Sequence, residues 1–253
     1  MKTIIDDSID SSIDTITPEI IKLYSLLAPY VSTGRQINGI THNLNSPLTG
    51  LMGSVELMAM KYPEFSSDLD VILELSKTLR DSIAALQNKY EIETNHTRTA
   101  ININYTLKNN LAHLRADLFF KHFVECTPEF GKDIPNLSGS YADFALTFEE
   151  ILLNAIDAQR EQNEGWVGVR TYRQDSSIFV EISDKGPGFT DEALRNAFQP
   201  FWPEIKEIDE GRVHLGMGLF MCKQWLKPYG GDIELNNPEE GGALVRVRIP
   251  ADQ

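Results

Sequence analysis

From Ile20 onward the seam positions step by 3 and 4 residues without a break: Ile20, Leu23, Leu27, Tyr30, Gly34, Ile37, Thr41, Leu44, Leu48, Leu51, Val55, Met58 and Tyr62. Alternating steps of 3 and 4 form a heptad seam, which only a long helix can keep on one face. Thr17-Pro18-Glu19 supplies a start, with Thr17 as N-cap and Pro18 in the first turn. Pro63 and the polar stretch to Asp68 interrupt the seam, and it restarts at Leu69, Ile72, Ser76, Leu79, Ile83, Leu86 and Tyr90. Two long helices joined by a short polar turn form an antiparallel hairpin. One hairpin cannot cover its own seam, so pairing into a homodimeric four-helix bundle is expected.

After about residue 97 the period changes. Strand-like runs are expected at Ile101–Tyr105, Val124–Phe130, Trp166–Arg173, Ile178–Ser183, Asp232–Leu235 and Ala243–Ile249. Helical runs are expected at Leu107–His122, Ala142–Gln162, Asp191–Phe198 and Leu215–Lys227. Such interspersed elements suggest an α+β two-layer sandwich. The expected architecture is therefore multi-domain: an acidic segment at 1–17, an all-α hairpin at 18–97 and an α+β sandwich at 98–253.

Composition excludes several classes. Lys and Arg number 23 against 37 Asp and Glu, a net charge of −14. That is unsuited to nucleic acid or an anionic membrane surface. The 2 cysteines are too few for a disulfide framework or a structural zinc site, and fit a reducing compartment. No apolar run approaches the roughly 18 residues of a membrane span, and the acidic N-terminus is no signal peptide. A cytoplasmic protein without membrane insertion is expected.

Three groups of residues carry candidate chemistry. His42 follows seam position Thr41, so it lies on the outer face of the helix. Pro47 removes the hydrogen bond to the Asn43 carbonyl, so a bend beside His42 is expected. Glu150 and Asn154 stand four apart on one helical face and can line a pocket or face solvent. Ile178, Val180, Ile182 and Asp184 share one strand parity, which points Asp184 inward. There a carboxylate needs donors, and an adenine amino group would serve. Gly186 and Gly188 permit close backbone approach. Gly216 and Gly218 open a helix whose first N–H groups make a phosphate site.

The run Thr41-His42-Asn43-Leu44-Asn45-Ser46-Pro47-Leu48 resembles the phospho-acceptor box of sensor histidine kinases, which sits on the first helix of a dimerising hairpin. The later boxes, with Phe198-Gln199-Pro200-Phe201 between them, resemble the Bergerat-type ATP-binding domain of the same family, shared with gyrase and the large heat-shock chaperones. The resemblance covers about residues 18–250. It implies an ATP- and Mg²⁺-dependent kinase that phosphorylates His42 and passes the phosphoryl group to a response-regulator receiver domain. It also implies that Asn154 ligates Mg²⁺ and that Asp184 reads adenine. Gly186, Gly188, Gly216 and Gly218 then shape the pocket, under a lid at 199–214 that includes Phe201. Lys206 or Arg212 would contact the terminal phosphate.

Asn43 departs from the family pattern, which has an acidic residue there. Neutral imidazole attacks phosphorus without first losing a proton, and the neighbouring acid takes the proton released during attack. Asn43 can accept the ring hydrogen bond but not the proton. Ser46, one turn on, either orients a water for dephosphorylation or is a solvated serine at the bend. Glu150 either activates a nucleophile or bonds locally. His214 stands where the commonest motif has glycine. A docking or phosphotransfer pseudokinase, and a chaperone-type ATPase, are the competing readings. With no recognisable sensing domain, the stimulus enters through residues 1–35 or an upstream sensor protein.

Overall fold

The computed structural model describes residues 40–41, 43–94, 97–162, 164–203, 206–208, 212–214 and 216–251. The chain divides into two compact units, Met1–Tyr90 and Glu91–Gln253.

In the first unit, helix α1 is described at 40–41 and from 43 to 61, and it runs through Pro47 as continuous helix. A 3₁₀ turn at Pro63–Phe65 leads into α2, Ser66–Thr94. Leu48 and Met52 of α1 pack with Ile83 of α2, and Leu73 joins them. The seam is covered on alternate positions. Thr41, Leu48, Val55, Ser76 and Ile83 are buried, whereas Leu44, Leu51, Met58, Ile72 and Leu79 are 43–54% exposed. Each helix thus spends one side of its seam on its hairpin partner and leaves the other side open. Seam positions before 40 lie outside the described residues.

The second unit is built on a five-stranded sheet in the order β2-β4-β5-β9-β8. These strands are β2 Val124–Phe130, β4 Gly165–Gln174, β5 Ser177–Asp184, β8 Asp232–Asn236 and β9 Ala243–Pro250. Only the β2–β4 pairing is parallel. On one face lie α3 (Ile103–Leu114), α5 (Tyr141–Asp157) and α7 (Gly218–Leu226), with the short α4 (Leu118–Phe123) beside them. Their apolar stripes share one core with the inward residues of β4, β5 and β9, including Phe148, Ile151, Leu152, Ile182 and Val247. Across the outer face, Glu129, Arg170, Glu181, Arg246 and Glu234 stand in register with alternating sign. Arg246 Nε is 2.8 Å from Glu181 Oε1. This two-layer arrangement matches the expected α+β sandwich.

Several expected elements are corrected. The strand expected at Ile101–Tyr105 is instead β1, Arg98–Ile101. Asn102 then caps α3, its side chain accepting from Tyr105 N at 2.9 Å, and helix begins at Ile103. The helix expected over Leu107–His122 breaks at 115–117, where Asp117 caps α4 by accepting from Phe120 N. The helix expected to reach Gln162 ends at Asp157 and gives way to a 3₁₀ turn at Arg160–Gln162. Three short strands had no sequence signal: β3, Leu137–Ser140, pairs with β1, and β6, Lys206–Ile208, pairs with β7, Arg212–His214. The helix α6, Asp191–Asn196, stops two residues before the expected end.

Gly50 and Gly53 lie inside α1, and a Cβ at either meets nothing within 4 Å among the described residues. Packing does not require them, yet each costs helix about 1 kcal/mol relative to alanine. Gly50→Ala and Gly53→Ala should each raise hairpin stability by about that amount, read by thermal or urea denaturation. Loss of stability would mean that another group occupies that surface.

Candidate functional site

Burial along β5 alternates without exception, and it carries Asp184 inward at the strand end. The carboxylate Oδ1 accepts from Gly186 N at 2.8 Å. The N–H of Ala243, its register partner on β9, also donates to it. Burial pushes the Asp184 carboxyl above its usual range, and the two backbone donors offset only part of that. Glycine is dictated around it. A Cβ at Gly186 would lie 2.9 Å from Asp184 Oδ1 and 3.1 Å from Ala158 Cβ. A Cβ at Gly242 would collide with the Asp184 carbonyl oxygen.

Helix α5 forms the neighbouring wall. Glu150 and Asn154 are half-buried, and Ala158 N bonds back to the Asn154 carbonyl at 3.1 Å. Residues 150, 154 and 158 recur every four positions and so share one stripe. At one end of the stripe Ala158 touches Gly186. At the other end a Cβ on Gly218, the first residue of α7, would strike the Glu150 carboxylate. Asn154 therefore lies between the Asp184 loop and the start of α7. The N-cap residue of α7, Met217, gives no side-chain cap to the first turn of that helix. Gly216 has φ +62°, and its carbonyl accepts from Trp202 N at 3.1 Å. A Cβ there would lie 2.7 Å from Phe201 C. Phe201 itself is exposed and has φ +63°, a region that side chains rarely occupy.

The structure thus brings Glu150, Asn154, Asp184, Gly186 and Gly218 around one helix face, and Phe201 against Gly216. Gly188, at φ +75°, packs its α-carbon against Asn237 and Gly242. Asn43 and Ser46 are exposed on α1 in the other unit. His42 lies outside the described residues. In the β6–β7 hairpin Lys206 stands in register with His214, and Arg212 with Ile208. The expected lid, 199–214, contains this hairpin.

Sequence reading missed two residues. Gln159 is fully buried and makes four bonds. Its Nε2 donates to the Ala155 and Trp166 carbonyls, at 2.8 and 3.2 Å. Its Oε1 accepts from Trp166 N at 2.9 Å and Lys185 N at 3.3 Å. It ties the end of α5 to β4 and to the loop after Asp184. Asn237, in the turn after β8, bonds both backbone groups of Phe189. Neither lies in a motif or on a periodic face, so no local pattern marks either one.

Residues 139–253 match the family model described as histidine kinase-, DNA gyrase B- and HSP90-like ATPase. The sensor protein KdpD of Clostridium acetobutylicum is 24% identical over 85% of this chain and 24% of its own length. The sensor histidine kinase SpaK of Bacillus subtilis is 27% identical over 97% of this chain and 53% of its own length. The catalytic domain of histidine kinase ThkA, in a nucleotide-free form, superposes with a TM-score of 0.51 at 20% identity, covering 61% of this chain and 96% of that one. The chain spans between a quarter and about half of the curated relatives named here. Among the described residues no helix is long and apolar enough to cross a membrane.

The raised Asp184 pKa makes a stability prediction. Folding favours the protonated form, so stability falls as pH rises from the ordinary carboxylate range toward the raised pKa, and the penalty is complete above it. Asp184→Asn removes that penalty. Without ligand, its urea midpoint should equal or exceed that of the parent near pH 7, and the advantage should shrink toward the ordinary carboxylate range at about pH 4. A variant less stable across this whole range would contradict a burial penalty.

Proposed function

We propose that this chain, a sensor-histidine-kinase catalytic core whose residues 139–253 belong to the histidine kinase-, DNA gyrase B- and HSP90-like ATPase family, is an ATP-dependent protein histidine kinase of two-component signalling. The observation that carries the reading is the α5 stripe. Glu150 touches the glycine that opens α7, Ala158 touches the glycine after Asp184, and Asn154 lies between them. A nucleotide laid along that stripe would meet a buried acceptor at one end and the N-terminus of α7 at the other. In this reading the Asp184 carboxylate accepts the adenine amino group. The first N–H groups of α7 hold phosphate oxygens.

Asn154 would hold Mg²⁺ through its carboxamide oxygen, a hard donor of the type this ion takes. No cluster of three His, Cys, Asp or Glu able to hold a metal exists among the described residues. The ion would neutralise charge on the phosphates. Lys206 or Arg212 would approach the terminal phosphate from the lid, with Phe201 anchoring the lid against Gly216.

His42 is the proposed acceptor. Its neutral ring nitrogen attacks the γ-phosphorus, ADP leaves, and the phosphoryl group passes on to a receiver-domain aspartate. Asn43 orients the ring through its carboxamide oxygen but takes no proton, so the ring N–H proton leaves to water and the transfer lacks general-base help. Ser46 would orient a water in the reverse hydrolysis. Incubation with Mg·ATP should give acid-labile, base-stable phosphate on His42. His42→Gln should abolish this label while retaining ATP binding. Asn43→Asp should raise the initial rate by about tenfold or more, part of the ~10²–10⁴ that a positioned base supplies. Asp184→Asn should weaken ATP by about 10- to 100-fold, the worth of a hydrogen bond to a charged group. Calorimetry showing no ATP binding by the parent protein would end the enzyme reading.

The open half of the seam argues for a homodimer. Leu44, Leu51, Met58, Ile72 and Leu79 form the surface that a second hairpin would cover. Sedimentation at roughly 10 µM, in the usual range for such assemblies, should show a dimer. Leu51→Asp or Leu79→Asp places a charge in that interface and should give monomer or unfolded hairpin. A parent protein that sediments as monomer would contradict the bundle.

A further inference from the structure

The loop from Lys185 to Thr190 follows Asp184 and precedes α6. Its conformation decides where Gly186 and Gly188 lie, yet it carries no regular structure of its own. Asn237 holds it from outside. The Asn237 Oδ1 accepts from Phe189 N at 2.8 Å, and its Nδ2 donates to Phe189 O at 2.7 Å. One carboxamide thus completes both backbone groups of one residue, as a neighbouring strand would. The same Oδ1 fills the space where a Cβ on Gly188 would sit, 3.0 Å away, and the Gly242 carbonyl closes the other side at 2.9 Å. Gly188 has φ +75° and Gly242 φ +80°, so both turns are fixed in conformations that fit this contact. Asn237 is itself exposed and belongs to the β8–β9 turn, so it contributes nothing to the core.

We propose that Asn237 is a positioning residue for nucleotide binding: its two-point clamp on Phe189 presets the 185–190 loop around the Asp184 carboxylate. This rests on the nucleotide reading of the Asp184 site. The clamp acts on ATP only through the loop. Without it, the loop samples other conformations, and nucleotide must select the competent one. Affinity then falls by the fraction of time that conformation is lost. The barrier for phosphoryl transfer, once ATP is bound, is untouched. The signature is a change in KM without a change in kcat.

The test uses the full chain with Asn237→Ala and Asn237→Asp. The first removes both bonds. The second keeps the acceptor for Phe189 N and loses the donor to Phe189 O. Three quantities are read: ATP dissociation constant by calorimetry, KM and kcat of autophosphorylation, and amide hydrogen exchange at 186–189. Asn237→Ala should weaken ATP about 5- to 30-fold, the loss of two ordinary hydrogen bonds. KM should rise in proportion at unchanged kcat, and exchange at Phe189 should accelerate. Asn237→Asp should keep Phe189 protected and fall between parent and alanine variant in affinity. Faster exchange with unchanged affinity makes the clamp structural only and overturns the proposal. Reduced kcat at unchanged KM overturns it as well. A parent protein that binds no ATP removes the underlying nucleotide reading. Parent binding with an unaffected alanine variant removes only the role of Asn237.

Discussion

Everything in the second unit depends on the azimuth of α5. Phe144, Phe148, Ile151, Leu152 and Ile156 are fully buried along one side of this helix. Each large apolar side chain withdrawn from water contributes about 1.5–3 kcal/mol. A rotation of the helix by part of a turn would expose several of them together. The opposing stripe, Glu150, Asn154 and Ala158, is therefore fixed by residues that never touch it. Because Ala158 meets Gly186 and Glu150 meets Gly218, two distant loops take their positions from the same helix. Loss of core packing would thus move both loops, and an effect on one would carry to the other.

The loops themselves are held by small, neutral devices. Glycines remove the Cβ atoms that close packing forbids, and carboxamides bond the backbone where no strand reaches. Gln159 does so at Lys185 and Asn237 at Phe189, on either side of Gly186 and Gly188. A carboxamide supplies donor and acceptor together without adding charge beside Asp184. That matters because Asp184 already carries the cost of burial, offset by backbone donors alone among the causes acting on it. A second carboxylate nearby would raise that cost. The two groups that fix the loop around Asp184 therefore add no charge beside it.

Local pattern made some of this legible and left other parts hidden. The inward turn of Asp184 followed from strand parity alone, because Ile178, Val180 and Ile182 fix which face β5 buries. The need for glycine at 186 and 188 followed from the turn they occupy. The breaks at Asn102 and Asp117 were missed because each is a single capping side chain that overrides a longer apolar rhythm. The strands β3, β6 and β7 are three or four residues long, too short for a period to show. The alternating row from Glu129 to Glu234 exists only in strand register, which residues far apart in the chain create. Gln159 and Asn237 were invisible for the same reason: their partners are chosen by the fold, not by spacing.

The hairpin unit obeys a different rule. Its described core is small, with Leu48, Met52 and Ile83 as the buried apolar cluster. Two helices that bury only alternate seam positions leave as much seam in water as they remove from it. In the dimeric reading that open half is covered by the second copy, so folding and association of the hairpin become one equilibrium. The helix also carries Pro47, Gly50 and Gly53 along the stretch that follows His42. None of the three strengthens helix, and no neighbour among the described residues requires the glycines. In that same reading, association supplies the order that the helix sequence withholds. In a hairpin of ideal helix formers, this stretch would hold its helix whether or not a second copy was present. In the dimeric reading, the order of this stretch of α1 therefore depends on the interface.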